Sequence, residues 1–373
     1  MTAEIKKRLL CMTHLPPPVN GVTMMGSLVV NSKVLHQAFE IRTIPFKSAD
    51  SIDDIGRLNL KKLKRALYYS WCLLFECLVF RPHLVYFTLT PTGTAFYRDL
   101  LYVLILKMTK RRRIYHLHGK GIANAVAGSG VLKKLYIWAF KGSSIILLSP
   151  LLYEDISRVA KREQCFFLPN GIADAGRQTL KRENRLPEEK PHILFLSNLV
   201  KNKGPLVLLE ALAMIRKRGV MFKASFAGAW ESDEFSKIFI DYLRDNDLSL
   251  SVTYLGPKYG SEKEDLLSNA DIFAFPSYND TFPLVVLEAM RHGLPVVSTY
   301  EGAISDMVHN GENGFLVPVR DSVALADSLM RLSTDRLLCQ KMGQAGRKRY
   351  EQEFTVAAFE RGLIQIMRQA GLE

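Results

Sequence analysis

The feature that most constrains this chain is a repeated alternation of short, branched or apolar runs with longer stretches of helical period. In the first half the short runs fall at residues 8–13, 40–44, 84–88, 113–117, 144–148 and 166–168. Residues 22–37, 60–80, 94–108 and 131–140 lie between them with the spacing of helices. Parallel strands can be joined only by crossovers, so this pattern predicts parallel sheets covered by helices on both faces. Residues 172–192 break the pattern with a polar, charge-rich segment holding Pro187 and Pro191, which reads as a linker. Alternation then resumes, with strands at 193–196, 223–226, 251–255, 272–275, 295–298 and 314–317. Helices are expected at 205–218, 231–246, 262–269 and 283–292, with three closing stretches at 322–332, 335–351 and 355–370.

The expected fold class is therefore α/β, with two Rossmann-like domains. A chain of 373 residues suits two cores better than one. The expected division is 1–175, 190–352 and a closing helix at 353–373 that packs on the first domain. Open α/β sheets bind ligands outside the carboxyl ends of their strands, which places a crevice there but names no ligand.

Composition narrows the class. Hydrophobic residues at 48% and charged residues at 23% exclude a disordered chain. Five cysteines, odd in number and without metal-knuckle spacing, predict reduced, scattered thiols. The start is polar and basic, and the apolar run after it is only a strand long, so no signal peptide is expected. The longest apolar stretch, 67–80, is interrupted by Ser70 and Glu76 and falls short of the roughly 20 residues of a membrane span. The expected location is cytoplasmic, either free or peripheral on the inner face of the membrane.

Charge is unevenly spread. Residues 1–186 carry +17 and residues 187–373 carry −4. An anionic partner for the first half follows: nucleic acid, an anionic membrane surface or a pyrophosphate-bearing lipid. Two basic clusters stand out, at 61–65 and 110–113. The first runs straight into Tyr68, Tyr69, Trp71, Leu73, Leu74 and Phe75, an order that suits an interfacial helix. Most of that helix's apolar face is expected to be buried against the first sheet.

The densest chemical signal is residues 275–299, FPSYNDTFPLVVLEAMRHGLPVVST. A buried strand leads into a loop holding Asp280, Thr281 and Phe282, then into a helix holding Glu288. Carboxylates so spaced can accept hydroxyls at two ends of one polyol, with free helix N–H groups between them. Asp280 also reads as an acid near a helix N-terminus. Glu288 sits in a helix apolar nearly all round and needs a partner. After the first strand of the second half comes SNLVKNKGP, where Lys203 and Gly204 open a helix and can converge on phosphate. Gly21 follows the first strand of the chain and allows close backbone approach. His118 follows the fourth strand in HLHG. Asp245-Asn246-Asp247 resembles a metal–nucleotide motif but reads as a solvated helix end.

The 275–299 stretch resembles the acidic motif of family 4 retaining glycosyltransferases. Glu288, Ala289, Gly293, Pro295, Val296 and Val297 match, while Asp280 stands where that family usually has Glu and Thr281 where it has Gly. Asp306 stands at an acidic position of the following segment. Lys203 and Gly204 match the family's donor-diphosphate segment, in which Asn198 replaces an Arg. The resemblance implies the GT-B arrangement of two facing Rossmann-like domains, with a C-terminal helix crossing back to the first. It implies a UDP- or GDP-sugar bound by the second half, with Gly21, Asn198, Lys203, Gly204, Asp280, Thr281, Phe282 and Glu288 as donor-binding residues. His118, Asp280 and Lys203 would be catalytic. The acceptor would be a glycan or a lipid-linked saccharide, as in bacterial surface polysaccharide or glycolipid assembly. Neither a cofactor nor an essential metal is expected, and no nucleic acid. A nucleotide-sugar epimerase and a non-catalytic anion- or nucleic-acid-binding protein remain as alternatives. The absence of Gly-x-Gly-x-x-Gly after a strand argues against a nicotinamide enzyme.

Overall fold

In the computed structural model, residues 6–17, 19–46, 60–174 and 190–372 are described. The chain divides into two compact units, Met1–Gly171 with Val356–Glu373, and Ile172–Thr355.

The first unit runs β1 (Lys7–His14), α1 (Gly21–Asn31), α2 (Lys33–Ala38), β2 (Phe39–Phe46), α3 (Leu60–Val79), β3 (Leu84–Thr88), α4 (Gly93–Met108), β4 (Arg112–Leu117), α5 (Ile122–Ala127), α6 (Gly130–Phe140), β5 (Ser144–Leu147), α7 (Tyr153–Ile156) and β6 (Cys165–Phe167). Its sheet is parallel throughout in the order β2-β1-β3-β4-β5-β6. All five residues of β3 are buried, as a strand covered on both faces requires. One face packs Leu73 and Cys77 of α3, Phe96 and Leu106 of α4 and Tyr136 of α6 against the sheet.

The helix expected over 22–37 is two helices. Ser32 adopts extended backbone between them, and its Oγ accepts from Leu35 N at 3.1 Å, so a hydroxyl cap starts a new helix where one long helix would otherwise run.

The second unit continues with β7 (His192–Leu196), α8 (Pro205–Lys217), β8 (Lys223–Ala227), α9 (Asp233–Asp245), β9 (Val252–Tyr254), α10 (Gly260–Asn269), β10 (Ile272–Phe275), α11 (Leu284–Arg291), β11 (Val296–Thr299), α12 (Ile304–Met307), β12 (Gly314–Val317), α13 (Ser322–Thr334) and α14 (Arg336–Glu353). Its sheet is also parallel, in the order β12-β11-β10-β7-β8-β9. The last helix, α15 (Val356–Met367), returns to the first unit. There Phe359, Leu363 and Met367 join a core with Leu9, Val29 and Leu84, and Ser32 Oγ donates to Glu360 Oε1 at 2.5 Å.

The chain enters the second unit earlier than a linker beginning at residue 172 would allow. Ile172 N donates to Phe354 O (2.9 Å), Tyr350 Oη donates to Ile172 O (3.0 Å), and Asp174 pairs with Arg347 at 2.7 Å. Residues 175–189 of the expected linker lie outside the described residues. Phe354, which the expected division at 353 assigns to the closing segment, is buried in the second unit against Phe282.

Candidate functional site

In the second unit the strand order reverses between β7 and β10, and open α/β sheets bind ligands at such a switch point, outside the carboxyl ends of the strands. The loops leaving β7 and β10 carry the residues singled out above. The loop after β7 makes one short turn, Lys201–Lys203, and ends at Gly204, whose φ of 77° is left-handed. A Cβ there would stand 2.1 Å from the Pro276 carbonyl oxygen, so only glycine lets this loop press on the loop after β10. Tyr278 N and Ser277 Oγ both donate to Asn202 O, at 3.0 and 3.2 Å, which stitches the two loops together.

That contact brings Lys203 to Asp280. Lys203 Nζ donates to Asp280 Oδ2 at 2.6 Å and to Asn279 O at 3.3 Å. An ammonium has three N–H bonds, so one is left for a ligand. Asp280 is held on its other side: its Oδ1 accepts from Thr281 N (2.8 Å), and its backbone N donates to Glu301 Oε1 (3.1 Å). It does not cap α11, whose N-cap is Pro283 and whose first N–H groups have no side-chain cap.

The partner that Glu288 needs is Lys263 on α10, with Nζ–Oε1 at 2.7 Å. Only 8% of the Glu288 side chain is exposed, and its Oε2 is buried with no hydrogen-bond partner among the described residues. A carboxylate oxygen left bare in a low-dielectric setting is an acceptor that a ligand hydroxyl can satisfy. Sequence reasoning missed Lys263, because a lysine on a polar helix carries no mark of what it will meet.

A third network lies at the end of α11. Arg291 Nη2 meets both Glu264 oxygens at 2.6 Å, and His292 Nε2 lies 2.8 Å from Glu264 Oε2. Burial alone would raise the Glu264 carboxyl, but hydrogen bonds from His292 and Arg291 outweigh it and hold it below its usual value. Arg291 Nη1 also donates to Ala173 O at 2.9 Å, fixing the entry of the chain into this unit.

Other expected donor residues are placed differently. Phe282 is buried with its ring near Phe354, so its side chain serves packing. Asn198 is exposed, and its Oδ1 accepts from Ala229 N at 3.4 Å, which turns it toward the loop after β8. Lys201 is also exposed, and its backbone N donates to Glu231 Oε2 at 2.8 Å. Asp306 sits in α12, where its carbonyl accepts from Arg349 (2.6 Å). Asp245 ends α9 in an exposed pair with Arg244. Among the described residues no three His, Cys, Asp or Glu side chains gather as a metal cluster.

In the first unit the order reverses between β1 and β3. His14 ends β1, and His118 lies just past the end of β4. The His118 ring lies 4.0 Å from that of His116, and burial pushes its imidazole down to about 4. Burial, then repulsion from Arg98 and His118, pushes His14 down to about 3. Both rings are neutral at pH 7 and can donate or accept. His14 and Arg98 were not singled out from sequence, since a histidine ending a strand is usually structural. Fully buried His116 donates or accepts at Tyr86 Oη, 2.7 Å from Nδ1. Gly21 is the first residue of α1, capped by Asn20.

Residues 176–349 match the profile of the family described as glycosyl transferases group 1. Over 227 residues the chain is 29% identical to the capsular polysaccharide biosynthesis glycosyltransferase CapM of Staphylococcus aureus, covering 58% of this chain and 59% of that one. The chain spans about half the length of the curated relatives it matches. A glycosyltransferase from Rickettsia africae ESF-5 superposes with a TM-score of 0.78 at 17% identity, over 98% of each chain. Anabaena Alr3699/HepE, solved in complex with UDP, superposes with a TM-score of 0.73 at 17% identity, over 97% of this chain and 100% of that one. These likenesses establish the GT-B class of fold, two Rossmann-like parallel sheets with a returning C-terminal helix.

Proposed function

We propose that this chain, a member of the glycosyl transferases group 1 family through residues 176–349, is a retaining glycosyltransferase that uses a UDP- or GDP-sugar. The observation that carries the reading is the pairing of Lys203 with Asp280 at the switch point of the second sheet, together with the bare Oε2 of Glu288 on the helix that follows Asp280. Glu288 Oε2 accepts a ribose hydroxyl of the donor. Lys203 turns its remaining N–H to the diphosphate, aided by the uncapped start of α11. Asp280, held by Thr281 N and Glu301, accepts a hydroxyl of the sugar. The UDP in a protein of like fold supports the choice of donor.

As the sugar–phosphate bond breaks, negative charge grows on the leaving diphosphate, where Lys203 and the helix N–H groups stabilise it. The departing phosphate takes the acceptor's proton on the same face, so configuration is kept without an enzyme nucleophile. Neutral His118 orients hydroxyls in the first unit. No divalent metal is needed, because the charge is met by Lys203 and backbone N–H groups. The acceptor is a saccharide or lipid-linked saccharide of a surface polysaccharide or glycolipid, a reading supported by the name of the CapM relative. A lipid-linked acceptor places the chain on the cytoplasmic side of a membrane.

The test is a thermal-shift panel of nucleotide-sugars, since a ligand that binds only the folded state raises the melting temperature. The stabilising donor is then incubated with saccharide acceptors, and the anomeric configuration of the product is read by NMR with and without chelator. An α-linked product from an α-linked donor, formed in chelator, is the expected result. An epimerised donor without acceptor, or no turnover of any donor, would replace this reading.

A further inference from the structure

The helices on one face of the first sheet carry an outer surface that no described residue covers. α3 turns Ala66, Leu73 and Cys77 inward and presents Leu67, Tyr68, Trp71, Phe75 and Leu78 outward, with Tyr68 62% and Trp71 67% exposed. Exposure of these rings corrects the expectation that the apolar side of this helix is mostly buried: the residues that alternate inward are too few to hide so wide an apolar arc. α4 repeats the arrangement, with Tyr97, Leu101, Leu104 and Met108 along one stripe at helical spacing and Met108 71% exposed. α6 adds Ile137 and Trp138. The three helices lie side by side. α3 packs on α4, Phe96 of α4 stacks on Tyr136 of α6 (4.0 Å), and Tyr136 Oη donates to Pro91 O in the loop before α4 (2.5 Å).

The charges around this surface have one sign. Lys64 lies within the exposed arc of α3, and Lys133 and Lys134 are exposed beside Ile137 and Trp138. Lys107 Nζ sits 5.2 Å over the Trp138 ring, and burial together with repulsion from Arg113 and Lys141 pushes it down to about 8. The described acids of these helices are spent: Asp99 is buried under Arg98, and Glu76 pairs with Arg42. Between Asp99 and Glu154 the chain has nine basic residues and no acidic one.

A soluble surface rarely exposes so much contiguous apolar side chain without a partner. A second copy would set like charges against each other. Nucleic acid would meet the lysines but leave the apolar stripes without a function. An anionic bilayer satisfies both, with phosphates for the lysines and an acyl boundary for the rings. We propose that the outer face of α3, α4 and α6 docks on an anionic lipid bilayer. This docking is independent of sugar transfer and stands or falls on its own test.

Full-length protein is co-sedimented with phosphatidylcholine vesicles and with vesicles containing phosphatidylglycerol, at low and high salt. Tryptophan emission is followed as well, since two of the three tryptophans lie on this face. Binding is expected only with the anionic vesicles, weakened by salt and accompanied by a blue shift. Paired Trp71→Ser and Leu101→Ser changes alter exposed positions and leave the fold intact by circular dichroism, yet should weaken partition at least about tenfold. Lys133→Gln with Lys134→Gln should weaken it by a similar factor, about fivefold per charge. Equal binding to both vesicles, or binding unchanged in both variants, overturns the proposal. So does a concentration-dependent dimer, seen by sedimentation, that does not bind vesicles and is dissolved by Trp71→Ser. Binding to a DNA duplex of matched charge in preference to vesicles overturns it too.

Discussion

The two units share a parallel six-stranded design and differ in what they hide. In the second, α11 buries Val286, Leu287, Ala289 and Met290 and carries Glu288 into the interior with them. In the first, α3 carries a long apolar arc but buries only one side of it and leaves Tyr68, Trp71 and Phe75 exposed. The second unit thus concentrates its chemistry in one crevice, while the first spreads its charge and rings over an outer face. The carboxyl ends of their sheets differ too: Lys203 and Asp280 form a direct ion pair, whereas His14 and His118 are neutral rings whose pKa values burial holds down.

The largest expected effect tests whether the second crevice depends on its glycine. Gly204→Ala combines a left-handed φ with a 2.1 Å approach to Pro276 O. Chemical denaturation should show a loss of about 3 kcal/mol or more. Gly26→Ala in α1, where a Cβ would stand 2.1 Å from His14 O, is the matching break in the first unit. An unchanged midpoint in either variant would remove the close approach from the argument.

Acidification should separate the units next. An unfolded histidine titrates near 6.5, but His118 and His14 do so near 4 and 3, so the unfolded state takes up protons first as pH falls. The first unit keeps its full stability above about pH 6.5 and loses on the order of 5 kcal/mol of it by pH 4.5. Glu264 is held below its ordinary value of 4.5, so its contribution in the second unit is present above that pH and is lost only below it. Hydrogen exchange at pH 7, 5.5 and 4.5 should show β1 and β4 loosening before α10 and α11. Simultaneous loosening would contradict the contrast.

Smaller effects probe the crevice itself. Lys203→Ala should weaken nucleoside diphosphate binding by about 1.5–3 kcal/mol, measured by calorimetry. Asp280→Asn releases Lys203 from its ion pair, so the same ligand should bind at least as tightly while sugar transfer falls. Glu288→Ala should weaken the bare nucleotide instead. Equal losses in the last two would end the division of labour between them. Lys201→Ala is expected to change binding by less than about 0.5 kcal/mol, and a loss equal to that of Lys203→Ala would show that it replaces the cation missing at residue 198.

Much of the fold was legible because parallel strands buried on both faces read as apolar runs, and all twelve expected strands are present within a residue or two. The split at Ser32 was not, since a hydroxyl cap competes with helix continuation by local geometry that periodicity does not register. In the site, Lys203, Gly204, Asp280 and Glu288 were visible because a turn, a helix start and a carboxylate in an apolar helix each leave a local mark. Lys263, Glu301, His14 and Arg98 were not, because each acts through a contact made from a distant part of the chain.

By itself the sequence determined the α/β class, the two parallel sheets and the need of Glu288 for a partner, because these follow from period, burial and the cost of an unpaired charge. Only the tertiary structure decided which cation meets which carboxylate, which oxygen of Glu288 stays bare and which side of α3 faces outward. Those outcomes depend on strand order and on how closely two loops approach, and a residue's own neighbours in sequence carry no record of either.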